Sequence, residues 1–203
     1  MTHPKSPNLL IIFMKNPIPG KVKTRLGKDL GMEKAAEIYT QLMDYTKSIA
    51  APVQADVEVW YGDQINPNDL WNEEGFIKKQ QSGADLGERM KNAFAQGFSS
   101  GYSRIIIIGT DCPELDTGLL EQAYTELDEH DVVYGPANDG GYYLMGMKEL
   151  LLPLFILKSW SEESVLAESI NDLDQMEKEY ILLPELTDID TIEDLKKFPK
   201  YAP

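Results

Sequence analysis

Short apolar runs alternate with amphipathic stretches along most of the chain. Apolar or alternating runs of four to seven residues, bounded by turn-forming residues, predict strands, and apolar residues spaced three and four apart predict helices. The predicted strands cover residues 9–14, 55–61, 77–81, 104–108, 131–134, 142–147 and 180–183. The predicted helices cover residues 33–50, 85–98, 117–129, 162–174 and 191–198.

The four consecutive isoleucines at 105–108 are the clearest strand signal. A run so uniformly apolar and β-branched is typical of a strand buried on both faces, as in the centre of a parallel sheet. Strands that alternate with helices predict an α/β protein with a mostly parallel sheet between two helical layers. Because one hydrophobic core can serve this length, we expect residues 1–203 to form a single domain of three-layer α/β/α architecture.

Composition and charge exclude several classes of function. The chain carries a net charge of −15, which argues against binding to nucleic acid or to an anionic membrane surface. Cys112 is the only cysteine, so no intrachain disulfide can form. No apolar stretch is long enough to span a bilayer, and the amino-terminal apolar run lacks the features of a signal peptide. We therefore expect a cytoplasmic protein.

The basic segment, residues 15–28, stands out in this acidic chain. It directly follows the first predicted strand and holds five of the 19 basic residues but no acid. Open α/β sheets bind ligands at the carboxyl ends of their strands, and lysine and arginine suit phosphates. The alternative is that this segment binds no ligand and is only a solvated run of charges. The five basic residues are Lys15, Lys21, Lys23, Arg25 and Lys28.

Several common catalytic motifs are absent from the sequence. Residues 20–24 resemble a P-loop only in part, because Lys15 and Val22 stand where glycine and a hydroxyl residue are required. There is no G-x-G-x-x-G after the first strand, no zinc-ligand pair and no G-x-S-x-G. Cys112 has no histidine in a motif around it and is predicted to be a small packing residue.

The remaining candidates for chemistry are carboxylates. Asp111 ends the isoleucine strand, where it either faces a ligand or caps the next turn. Asp188 and Asp190 are two residues apart in a late acidic cluster, so both could face one Mg²⁺, which prefers one or two carboxylates together with waters and phosphates. The alternative makes Asp190, with Glu193, a capping box for the last helix.

The segment Asp139-Gly140-Gly141-Tyr142 has two interpretations that the local sequence leaves equal. Asp-Gly-Gly is an ordinary turn signal between two strands. Glycines also allow the backbone to approach a ligand closely, and a neighbouring tyrosine can stack on a base or sugar.

Five motifs follow one another along the chain: K-x-P-x-x-G-x-x-K-T-R-L, G-x-x-L-G-x-R, T-D-C-P, G-P-x-x-D-G-G-Y and D-I-D-T-x-E-D-L. In this order they resemble a bacterial family of unassigned substrate with the glycosyltransferase-A (GT-A, or nucleotide-diphospho-sugar transferase) fold, related to 2-phospho-lactate guanylyltransferase. The resemblance implies that the nucleotide is bound by Lys15, Gly20, Lys23, Arg25, Gly83, Leu86 and Gly87. It further implies an acceptor pocket at Asp139, Gly140, Gly141 and Tyr142. The implied metal ligands, for Mg²⁺ or Mn²⁺, are Asp111 and Asp190, with Asp188 as a third candidate.

Three functions stay open. A nucleotidyltransferase would join a nucleoside triphosphate to a small phosphorylated acceptor and release pyrophosphate, with Lys23, Arg25 and Asp111 as catalytic residues. A glycosyltransferase would take a nucleotide-sugar instead, but such enzymes of this fold carry D-x-D after the central strand, where this chain has Gly109-Thr110-Asp111. The third is an inactive nucleotide-binding protein. We favour nucleotidyl transfer, with a nucleotide and a small acceptor as partners; a homo-oligomer is compatible with the sequence.

Overall fold

The computed structural model describes residues 6–160 and 162–201 and contains one seven-stranded sheet. Its strand order is β3-β2-β1-β4-β6-β5-β7. Every neighbouring pair is parallel except β4–β6 and β5–β6, so β6 runs against the rest. The strands are β1 (Asn8–Met14), β2 (Asp56–Tyr61), β3 (Phe76–Gln80), β4 (Arg104–Ile108), β5 (Val132–Pro136), β6 (Tyr142–Met147) and β7 (Tyr180–Leu182).

Six α-helices lie in the described part of the chain, and none of them is long and apolar enough to cross a membrane. Two short 3₁₀ turns, Leu152–Phe155 and Pro199–Tyr201, complete the regular structure. The helices are α1 (Thr24–Leu30), α2 (Met32–Ala50), α3 (Leu86–Ser99), α4 (Thr117–Glu129), α5 (Val165–Gln175) and α6 (Ile192–Lys197).

Alternation of side chains along the strands builds two core layers. In β1, Leu10 and Ile12 pack on one face of the sheet together with residues of α2 and α4. Leu9 and Ile11 pack on the other face with α3 and α5. All four side chains are fully buried, as expected for a strand with helices on both faces. The predicted three-layer α/β/α architecture and mostly parallel sheet are confirmed.

Helix α1 is absent from the predicted helices, because the sequence identifies residues 15–28 only as a basic segment. The chain becomes helical at Thr24, so Arg25 and Lys28 project from a helix. Leu26 is fully buried against α2 and α6, and this single buried leucine anchors the short helix. A helix of two turns is too brief to show a full apolar periodicity, which explains why the charge pattern concealed it.

Candidate active site

A cleft of about 700 Å³ opens at the carboxyl ends of β1 and β4. These strands are parallel neighbours, so the segments that follow them meet at one edge of the sheet. The Tyr39 hydroxyl ties them together by accepting hydrogen bonds from the Lys15 N–H (3.1 Å) and the Thr110 hydroxyl (3.0 Å). The charged residues that line the cleft are Lys15, Lys21, Lys23, Arg25, Arg89, Asp111, Asp139, Asp188 and Asp190.

Lys23 lies at the centre of these charges. Its Nζ is 2.8 Å from Asp111 Oδ2 and 2.7 Å from Asp190 Oδ1, so those two oxygens are at most 5.5 Å apart. Only 3% of the Lys23 side chain is exposed, against 38% for Asp111 and 40% for Asp190. One buried ammonium therefore joins carboxylates that are 88 and 167 residues away from it in sequence.

The electrostatics of the cleft favour the charged forms of Lys23 and Asp111. Burial alone would lower the pKa of Lys23, but the negative charges of Asp111 and Asp190 outweigh burial and hold its pKa above the ordinary value. Burial would likewise raise the pKa of Asp111, and the Lys23 charge lowers it instead. Lys23 and Asp111 are thus both held in their charged forms, and Asp190 lies 2.7 Å from the same ammonium.

The backbone at Lys23 is strained. Its φ of 45° and ψ of 44° place it in the left-handed region, immediately before α1. That conformation costs an ordinary residue about 1–2 kcal/mol, and such outliers concentrate at functional sites. This turn places the Lys23 ammonium between the carboxylates of Asp111 and Asp190.

The capping role considered for Asp190 is wrong. The N-cap of α6 is Thr191, whose hydroxyl accepts from the Asp194 N–H, while the Asp194 carboxylate accepts from the Thr191 N–H. The capping box therefore begins one residue later than the pair Asp190 and Glu193, which leaves the Asp190 side chain directed at Lys23.

Asp111 combines a turn contact with its position in the cleft. Its Oδ1 accepts from the Thr110 N–H (2.9 Å), while its Oδ2 faces Lys23. The cap of the following helix α4 is Asp116, which accepts from the Leu119 N–H. Asp111 therefore does not cap α4, and half of its carboxylate stays directed at the cleft.

Asp188 differs from its acidic neighbours. Its Oδ1 is buried without a hydrogen-bond partner in the described structure. Burial, followed by the charge of Asp111, raises the pKa of Asp188 to about 7. The nearby Cys112 thiol has its pKa raised by burial and then by Asp188, which suits a packing residue better than a nucleophile.

The donor set for a metal ion is limited. Within residues 6–160 and 162–201, no group of three or more His, Cys, Asp or Glu side chains is arranged to hold one. Asp111 and Asp190 present two carboxylate oxygens close enough to share a cation, and Lys23 supplies the cation between them. Mg²⁺ requires fewer protein ligands than three, because one or two carboxylates are completed by waters and phosphates, and this pair meets that requirement.

The other basic residues of this segment that line the cleft differ from Lys23 in their lack of ion pairs. Lys15, Lys21 and Arg25 line the cleft, and none of the three forms an ion pair with any described residue. Lys28 likewise has no ion-pair partner in the part of the chain that the structure describes, but it does not line the cleft. We call Lys15, Lys21, Lys23 and Arg25 the cationic wall.

Leu86, Tyr142 and Trp160 form a second wall that is largely apolar, and Arg89 lines the cleft one turn after Leu86 on α3. Tyr142 and Trp160 pack against the core layer of α3 and α5, whereas Val22 in the cationic wall's segment belongs to the layer of α2 and α4. The two walls therefore rise from opposite faces of the sheet. We call Leu86, Tyr142 and Trp160 the aromatic wall.

Four glycines predicted to bind ligands do not line the cleft: Gly20, Gly83, Gly87 and Gly140. Two of these glycines make room for a neighbouring residue rather than for a ligand. A Cβ on Gly87 would lie 2.1 Å from Cζ2 of Trp160, and a Cβ on Gly140 would lie 2.2 Å from the carbonyl oxygen of Glu163. The other predicted site residues do line the cleft: Lys15, Lys23, Arg25, Leu86, Asp111, Asp139, Gly141, Tyr142, Asp188 and Asp190.

Sequence reasoning did not assign Lys21, Arg89 or Trp160 to the site, although all three line the cleft. Arg89 ends the G-x-x-L-G-x-R motif and could have been found there; its Nε donates to the Gly83 carbonyl at 3.1 Å. Lys21 belongs to the basic segment. No local signal marks Trp160, because its position depends on a contact with Gly87.

The fold recurs in known structures. A Desulfovibrio desulfuricans G20 protein, described as a candidate nucleotide-diphospho-sugar transferase, is 34% identical and superimposes with a TM-score of 0.87 over 94% of this chain and 85% of its own. A cytidylyltransferase of Leptospira borgpetersenii serovar Hardjo-bovis (strain JB197) is 16% identical, with a TM-score of 0.60 over 98% and 88%. A CMP:2-keto-3-deoxy-manno-octonic acid synthetase, solved with CTP, is 11% identical, with a TM-score of 0.58 over 94% and 95%.

These comparisons confirm the GT-A, or nucleotide-diphospho-sugar transferase, fold; the relatives below 25% identity show that fold alone. No functionally curated protein matches the sequence. Residues 45–162 match the model of the family described as "Uncharacterized protein conserved in bacteria (DUF2064)", and the chain belongs to this family.

Proposed function

We propose that this protein is a transferase that moves a nucleotidyl group from a nucleoside triphosphate to a small phosphorylated acceptor and releases pyrophosphate. The observation that carries the proposal is the pairing of Lys23 with Asp111 and Asp190, beside the unpaired charges of Lys21 and Arg25. Such a site offers a triphosphate both positive charge and carboxylates for its accompanying cation.

The chemistry requires little beyond positioning and charge. An oxygen of the acceptor phosphate attacks the α-phosphorus in line, the bond from the α-phosphorus to its bridging oxygen breaks, and pyrophosphate leaves. A phosphate monoester is already ionised at neutral pH, so no side chain must remove a proton from it. Lys23 and Arg25 then neutralise charge on the phosphates, which accounts for a site without a histidine base.

Asp111 and Asp190 fit Mg²⁺ or Mn²⁺ because their oxygens are close, charged and partly exposed. A bound divalent ion supplies further neutralisation of the phosphates and orients them for displacement. For these carboxylates to hold it, Lys23 must release them, and the phosphates of a nucleotide would give its ammonium new partners. Asp188 is the third candidate ligand, with one unsatisfied buried oxygen.

Glycosyl transfer is the second candidate, and the description of the D. desulfuricans relative favours it. Among the other neighbours, the cytidylyltransferase and the synthetase solved with CTP favour nucleotidyl transfer. The number of unpaired basic residues decides our preference, because a nucleotide-sugar lacks the terminal phosphate that the cationic wall could hold.

The test compares donors directly. Thermal shifts in the presence of Mg²⁺ should identify a nucleoside triphosphate that stabilises the protein; at 100 times its Kd the gain is about 2.7 kcal/mol, or about 5–10 °C. That triphosphate and a panel of small phosphorylated acceptors should then yield pyrophosphate. Acceptor-dependent release of a nucleoside diphosphate from a nucleotide-sugar, without pyrophosphate from any triphosphate, would establish glycosyl transfer instead.

Asp111→Asn provides the matching variant, because asparagine keeps the shape of aspartate and loses its charge. We expect pyrophosphate release to fall below detection while the circular dichroism spectrum stays native. The control is Asp44→Asn, at an exposed position of α2 away from the cleft, which should retain full activity. Full activity in Asp111→Asn would contradict the assigned role.

A further inference from the structure

The indole of Trp160 rests directly on the first turn of α3. A Cβ on Gly87 would lie 2.1 Å from its Cζ2, 2.2 Å from its Cε2 and 2.4 Å from its Nε1. No side chain other than the hydrogen of glycine leaves room for this contact. Gly87 thus leaves the space that this aromatic ring occupies, and we call this contact the Gly87 seat.

That ring is available to a ligand. Trp160 lines the cleft and is only partly buried, whereas Trp60 and Trp71 are 2% and 0% exposed and belong to the core. The Trp160 Nε1 has no hydrogen-bond partner among residues 6–160 and 162–201. Leu86, which is 42% exposed, extends the apolar surface next to the seat.

The two walls together select a type of ligand. The cations of the cleft attract phosphates, while the large ring of Trp160 favours a flat apolar partner; Arg89, one turn after Leu86 on α3, adds a further cation near this ring's wall. A nucleotide carries both groups in one molecule. We infer that Trp160 is a nucleotide-binding residue against which the base of the bound nucleotide stacks; this inference rests on the proposed function.

Its test separates the base from the phosphates. The triphosphate that the thermal-shift panel identifies and inorganic tripolyphosphate are titrated, each with Mg²⁺, into the wild-type protein, Trp160→Ala and Trp160→Phe. Stacking of one base contributes about 1–3 kcal/mol, so Trp160→Ala should bind the nucleotide roughly 5- to 150-fold more weakly. Tripolyphosphate should bind unchanged, which also shows that the variant is folded. Trp160→Phe, which retains a ring, should keep most of the affinity.

Fluorescence gives an independent readout, because Trp160 is the tryptophan at the cleft. Nucleotide should quench the emission of the wild-type protein, and tripolyphosphate should not. Unchanged nucleotide affinity in Trp160→Ala, or an equal loss for both ligands, would overturn the stacking role and leave the proposed function intact. A wild-type protein that binds tripolyphosphate but no nucleoside triphosphate would overturn both.

Discussion

The two walls of the cleft are built by different forces. The cationic wall depends on charge: Lys23, whose backbone is left-handed, is buried between Asp111 and Asp190 and pairs with both. The aromatic wall depends on shape, since Trp160 takes its place because Gly87 has no side chain. One wall is therefore sensitive to the removal of a charge and the other to the addition of a single methyl group.

This difference also separates what each wall can do. Charge attracts any phosphate, whatever it is attached to, and contributes affinity without selecting a base. A ring of fixed position can discriminate among the groups that carry the phosphates. The cationic wall would thus supply affinity and the reaction, and the aromatic wall the choice of substrate.

The largest expected effect is a loss of ligand affinity when the cationic wall is changed. Lys23→Ala and Arg25→Ala should each weaken binding of nucleoside triphosphate roughly 10- to 150-fold, because each removes one charge-assisted contact worth about 1.5–3 kcal/mol. Isothermal titration calorimetry in the presence of Mg²⁺ measures this loss.

Lys28→Ala is the matched control for the cationic wall. Lys28 lies on the same helix as Arg25 and, like it, forms no ion pair with a residue of the described structure, but it does not line the cleft. Its substitution should leave the titration curve unchanged. Equal curves for all three variants and the wild-type protein would mean that the basic segment is only a solvated run of charges.

A smaller effect should come from the shape of the aromatic wall. Gly87→Ala forces a methyl group into the indole of Trp160, and overpacking of this kind costs about 1–3 kcal/mol. We expect the melting temperature to fall by about 2–4 °C for each kcal/mol lost. Differential scanning calorimetry provides the measurement.

The double variant Gly87→Ala, Trp160→Ala shows whether the steric contact is the cause. Without the indole, alanine at position 87 should be neutral or stabilising relative to Trp160→Ala alone, because alanine favours a helix by up to about 1 kcal/mol over glycine. The same loss from Gly87→Ala in both backgrounds would show that Trp160 does not rest on this glycine.

The walls also differ in how far the sequence could predict them. The fold followed from hydrophobic patterns, and the basic segment was visible because five positive charges without an acid are rare in a chain of net charge −15. The approach of Asp111 to Asp190 could be expected only from the fold, since both follow elements that end at the same sheet edge. The contact between Gly87 and Trp160 joins residues with no shared motif, and shape complementarity of that kind leaves no local pattern.

Where the sequence-based interpretation was wrong, two local signals competed. A capping box is defined by residue types three apart, and the run Asp190-Thr191-Ile192-Glu193-Asp194 contains two overlapping candidates. Thr191 with Asp194 prevails in the structure, and the attraction of Asp190 to the buried Lys23 ammonium favours that choice. The deciding interaction spans 167 residues and cannot be read from the overlap itself.

The smallest expected effect concerns Asp188, because the folded protein disfavours the ionised form of its carboxyl group. Its pKa is raised to about 7, by burial first and by Asp111 second, whereas an unfolded aspartate has a pKa of about 3.9. Between about pH 4 and pH 7 the folded state therefore binds more protons than the unfolded state, and the contribution of Asp188 to stability falls as the pH rises through this window.

Asp188→Asn removes that titration and isolates its contribution. In buffer containing a chelator, the melting temperature of the variant minus that of the wild-type protein should be larger at pH 8 than at pH 5, by about 2–4 °C for each kcal/mol of differential stability. Other titrating groups contribute to both proteins and largely cancel in the difference. An equal difference at the two pH values would mean that Asp188 ionises at its ordinary pKa in the folded protein. Asp188 would then add one more full negative charge beside Asp111 and Asp190 for Lys23 to balance.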